Sequence, residues 1–87
     1  MKIKNGFAKR NIAGSNIVVP VGKNAREFNA MITLNDTGSF LWDIFQKDIT
    51  IDEAVELITA EYDVSADVAR ADIEKFTKLL SDNDLFE

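Results

Sequence analysis

Cysteine and histidine are both missing from these 87 residues, and much of enzyme chemistry goes with them. Without cysteine there are no disulfides, no iron–sulfur ligands and no thiolate nucleophile. Without histidine the commonest metal ligand and general base is gone, and Ser15, Ser39, Ser65 and Ser81 have no imidazole to activate them. Proline occurs once, at position 20, and the four glycines stand apart at 6, 14, 22 and 38, so no glycine-rich loop can cradle a phosphate. No run of eighteen apolar residues and no signal-peptide core is present, which argues against membrane insertion and secretion and makes a cytoplasmic location the expectation. Carboxylates are plentiful but badly placed for chemistry. Asp63, Asp67 and Asp72 lack the alternate spacing of a calcium loop. Asp82 and Asp84 sit in a terminal turn with no apolar pocket to raise a pKa. The expectation is no enzyme, no metal and no cofactor.

What is present is an ordinary folding composition, 46% hydrophobic and 29% charged, in a length that makes one domain over residues 1–87. The net charge of −5 is unevenly spread: residues 1–27 carry +5 and the remainder −10. Such segregation can steer a partner over a Debye length of about 8 Å, or simply mark a solvated surface.

The stretch Phe28–Trp42 organises the chain. Phe28, Ala30, Ile32 and Leu34 alternate with Asn29, Met31 and Thr33, the period of a strand with one buried face. At Asn35, a residue suited to capping a helix, the period changes, and Phe40, Leu41, Ile44 and Phe45 follow at helical spacing. Before it, Phe7–Ile12 and Ile17–Val21 read as strands joined by a Gly14-Ser15 turn, with Phe7 inward and Pro20 near a strand end. After the first helix (36–45), Thr50 and Glu53 form a capping box opening a second. Its apolar face is Ile51, Ala54, Val55 and Ile58, with Leu57 beside it, ending near Tyr62. Ser65 caps a third helix whose apolar arc is Val68, Ile73, Phe76, Leu79 and Leu80. Asn83 is placed to take a left-handed conformation, letting Leu85 and Phe86 fold back. The fold class is α+β: a three-stranded antiparallel meander followed by three helices, winged-helix-like.

That outline invites a DNA-binding reading, with the third helix in a major groove. Residues 66–82 carry Arg70, Lys75 and Lys78 against four acidic groups, a poor match to phosphates. The meander also leaves the third strand with one unpaired edge, a template for another strand, unless the third helix or a second copy of the protein covers it.

Leu34-Asn35-x-Thr37-Gly38-x-x-Leu41-Trp42 resembles the strand-to-helix segment of the PqqD-like family, named for coenzyme PQQ synthesis protein D. The likeness continues through Thr50-x-x-Glu53-Ala54-Val55, Tyr62-x-Val64, Asp72-Ile73-x-x-Phe76-x-x-x-Leu80 and Leu85-Phe86. Two turns depart from it. Gln46-Lys47-Asp48 stands where many members have Asp-Gly, and Asp84 where many have glycine. The resemblance implies a peptide chaperone, a recognition element for ribosomally made, post-translationally modified peptides. It would hold a precursor's leader between the third strand and third helix and present it to a modifying enzyme, often a radical S-adenosylmethionine enzyme. Carried onto this sequence, the backbone of Asn29, Ala30, Met31, Ile32 and Thr33 would pair with the leader. Asp72, Lys75 and Leu79 would wall the groove, with an apolar leader residue beside Met31 and Leu79 and a leader carboxylate near Lys75. Thr37 and Gly38 are expected to be structural, and Trp42 a core or domain-edge anchor. Winged-helix DNA binding and self-association through the same edge are the alternatives.

Overall fold

The computed structural model describes residues 1–22 and 31–87. Strands β1 (Phe7–Ile12), β2 (Ser15–Pro20) and β3 (Ile32–Leu34) form an antiparallel sheet in the order β1-β2-β3. Helices α1 (Asp36–Ile44), α2 (Ile51–Glu61) and α3 (Ala66–Asp82) follow. The α+β architecture expected from the sequence is therefore the one observed.

The first hairpin turns one residue earlier than Gly14-Ser15. Ser15 already pairs with Ile12, leaving Ala13 and Gly14 as the loop. Both have positive φ, 52° and 83°, as a two-residue type I′ connection requires to match strand twist. Register, more than the lone glycine, sets the turn. Pro20 ends β2 opposite Phe7, where its missing N–H costs little.

Phe28, Asn29 and Ala30, expected to begin the third strand, lie outside the described residues. From Met31 the alternation holds: Ile32 and Leu34 are buried, Met31 and Thr33 exposed. The strand passes into α1 across Asn35, whose Oδ1 accepts the Gly38 N–H at 2.7 Å. Gly38 is tightly placed. A Cβ there would stand 3.2 Å from that same oxygen and 3.4 Å from Leu34, so the absence of a side chain lets strand and helix close up.

The capping box of α2 is complete, with Thr50 and Glu53 each accepting the other's backbone N–H at 3.1 Å. Ser65 caps α3 by accepting the Val68 N–H. At the far end of α3 the left-handed residue is Asp84 (φ 58°) in place of Asn83 (φ −100°). Leu85 N–H donates to the Leu80 carbonyl and Asp84 N–H to that of Ser81, the paired bonds of a Schellman ending. Asp84 thus takes the left-handed position that glycine most often fills, and Lys4 holds its carboxylate at 3.0 Å. The other departure is resolved differently. None of residues 46–48 has positive φ; the Gln46 amide instead donates to the Trp42 carbonyl, covering the end of α1.

The core lies between the sheet and the helices, centred on Phe45, which stacks on Phe76 and meets Phe86 edge-on. Leu41, Trp42, Ile58, Ile73, Leu80 and Leu85 surround it. Ile51 and Phe7 are half-buried against it, while Val68 and Leu57, placed by periodicity on or beside apolar faces, are exposed. Ile3, which shows no periodicity of its own, is buried and bridges to Phe86. No helix among the described residues is long and apolar enough to cross a membrane.

Candidate functional site

β3 is bonded on one side by β2, through Val18, Ile17 and Asn16. On its other side no backbone group of a described residue bonds to it. An unfilled row of strand donors and acceptors is a template for a further strand. That open margin borders a cleft of about 190 Å³ lined by β3, the start of α1 and one flank of α3.

The sequence builds the cleft from two periodicities. Thr33 and Leu34 come from the strand; Asn35, Thr37, Gly38 and Leu41 follow from the capped first turns of α1. Residues 72, 75, 76 and 79 recur every three to four positions, which puts Asp72, Lys75, Phe76 and Leu79 on one flank of α3. Leu41 and Phe76 are buried at its base, whereas Leu79 is 41% exposed. Among the described residues neither the Asp72 nor the Lys75 side chain has a hydrogen-bond or ion-pair partner. Among the described residues the cleft therefore joins an apolar floor, a backbone edge with no bonded strand and two charges of opposite sign with no counter-charge bound to them. No group of three metal-ligating side chains occurs among the described residues.

Of the residues expected at a peptide site, Thr33, Asp72, Lys75 and Leu79 border this cleft. Met31 stands just before β3 and is 68% exposed. Ile32 turns its side chain into the core, leaving only its backbone for an edge contact. Asn29 and Ala30 fall outside the described residues. Thr37 and Gly38, expected to be structural, line the cleft as well as joining strand to helix. Leu34, Asn35, Leu41 and Phe76 also line it, though alternation and helical spacing place them simply as core or cap. Their double role is set by the open space beside β3, which no local pattern encodes. Trp42 is buried, as an anchor should be.

Three antiparallel strands, three helices and a cleft between the outer strand and the last helix define a small winged-helix-like α+β protein. Residues 16–85 match the family of coenzyme PQQ synthesis protein D (PqqD), and the chain belongs to that family. The fold is shared with a solved structure of TbiB1 in complex with the TbiA(beta) leader peptide, at a TM-score of 0.75 and 23% identity. That alignment covers 100% of this chain and 95% of the other. No curated protein matches the sequence.

Proposed function

We propose that this protein is a non-enzymatic recognition element for ribosomally synthesised precursor peptides. It binds the leader as an added strand on β3 and presents the peptide to a modifying enzyme, a radical S-adenosylmethionine maturase. The observation that carries this reading is the open margin of β3 facing α3 across an apolar-floored cleft. Main-chain bonds along such an edge supply affinity, and side-chain pockets beside it supply specificity. The PqqD family membership and the leader peptide bound to TbiB1 on the same fold support it.

Electrostatics disfavour a nucleic-acid partner. Lys2, Lys4 and Lys9 are held by Glu87, Asp84 and Asp43, and Arg70 by Asp52. Among the described residues this leaves Arg10, Lys47 and Lys75 without a carboxylate partner to replace counterions on a duplex. The test is amide-shift mapping and calorimetry with synthetic leader peptides of candidate precursors. Saturable binding with shifts on residues 31–34 and α3 is the expected result. Shifts confined to residues 1–22, or a solution mass showing β3 taken by a second copy, would overturn the assignment.

A further inference from the structure

The wall of the cleft contributed by α3 carries charges in a fixed order, and we infer that it selects leaders by the order of their own charges. The inference rests on the leader-binding reading above and names what that site prefers. Asp72, Lys75 and Leu79 follow one another along the flank of α3 that borders the cleft. At a rise of about 1.5 Å per residue they stand at roughly 0, 4.5 and 10.5 Å along the helix axis. Side chains on one face of an extended peptide recur about every 6.6 Å. Three successive wall-facing leader residues span about 13.2 Å against about 10.5 Å for the three wall residues, so they meet them in the same order. Flexible Lys and Asp side chains absorb the remaining mismatch of about 2–3 Å.

Availability distinguishes these two charges from their neighbours. Lys78 and Arg70, on the same helix, are occupied by Asp82 and Asp52. Asp72 and Lys75, three residues apart, have the spacing for a helical ion pair, yet they form none and have no other partner among the described residues. Asp72 is half-buried in the cleft wall, where a peptide strand would strip water from both charges and strengthen any complementary contact. A basic residue then faces Asp72, an acidic one Lys75 and an apolar one Leu79. The leader segment read by α3 has the acidic residue between the basic and the apolar one, at alternate positions. The rule is the same whichever way the strand runs, because reversing the chain reverses all three together.

Four synthetic nine-residue peptides, acetylated and amidated, test it on the full chain. Their β-prone hosts of alternating Thr and Val carry Lys-x-Glu-x-Leu or its reverse, Leu-x-Glu-x-Lys, and the charge-exchanged pair Glu-x-Lys-x-Leu and Leu-x-Lys-x-Glu. Affinities come from fluorescence anisotropy, and amide shifts on residues 31–34 report strand addition. At low salt, the better of the first two peptides should bind at least about fivefold more tightly than the better of the second two. The double variant Asp72→Lys, Lys75→Asp should invert that preference, with its circular dichroism unchanged. Equal affinities with shifts on β3, or a preference that the double variant leaves in place, would overturn the charge order while leaving strand addition standing. Failure of all four to bind would overturn both.

Discussion

Leu79 and Phe76 are three residues apart on α3 and both border the cleft, but they answer to different forces. Phe76 is 6% exposed and stacks on Phe45, so its ring belongs first to the core. Phe76→Ala should cost about 3–5 kcal/mol, read as a fall in the denaturation midpoint. Leu79 is 41% exposed and stands outside the buried core cluster. Leu79→Asp should leave the unfolding midpoint nearly unchanged and weaken leader binding by about tenfold, the equivalent of ~1.4 kcal/mol, because a carboxylate would replace apolar surface at the mouth of the cleft. Unchanged affinity by calorimetry would remove Leu79 from the site. Helical spacing alone cannot separate these two residues, since both fall within one apolar arc. What separates them is a neighbour distant in the chain: α3 is packed on its Phe76 side and open beside β3 on its Leu79 side.

At the scale of elements, the parts readable from sequence were those whose cause is local. Asn35, Thr50 and Ser65 cap the three helices because each side chain satisfies an N–H three residues on. The alternation Met31 to Leu34 chooses the buried face of β3 from the strand period alone. Where two solutions are locally equivalent, the register decides. The hairpin places Ala13, not Ser15, beside Gly14 in the loop, and Ala13 accepts a φ of 52°, a region that disfavours residues with a Cβ. Ala13→Asn would install the Asn-Gly pair preferred in this turn. It should raise stability by about 0.5–1 kcal/mol and leave leader affinity unaltered, since the hairpin tip does not border the cleft. A lower midpoint in urea would contradict the turn assignment. The end of α3 shows the same ambiguity: Asn83 and Asp84 are both tolerant of left-handed backbone, and only the bond from Leu85 to Leu80 selects Asp84.

Across the whole molecule, Lys2, Lys4 and Lys9 of the basic first segment pair with Glu87, Asp84 and Asp43 of the acidic remainder. Lys4 N–H donates to the Leu85 carbonyl and Glu87 N–H to that of Lys2, while Ile3 is buried beside Phe86. This zipper joins residues more than eighty positions apart, which is why Ile3 carries no signal in the sequence. Ile3→Ala should cost about 2–4 kcal/mol without changing leader affinity in the folded fraction. The Met1 amino group completes the contact, donating to the Asp48 carboxylate at 2.8 Å and to the Ile49 carbonyl at 2.7 Å. That hydrogen bond, with the positive charge behind it, holds the Asp48 pKa below its ordinary value. A depressed carboxylate pKa means that the folded state binds the proton less readily than the unfolded chain. The stabilisation is therefore complete above the ordinary aspartate range and is lost as pH falls through the folded value. The Asp48 carboxylate is largely solvated, so the effect on global stability is small and the sharper readout is the group itself. Carboxyl-carbon titration should place the Asp48 midpoint below that of a reference aspartate, and acetylating the Met1 amine should return it to the ordinary range. A midpoint indifferent to acetylation would mean that the amine and the carboxylate do not meet in solution.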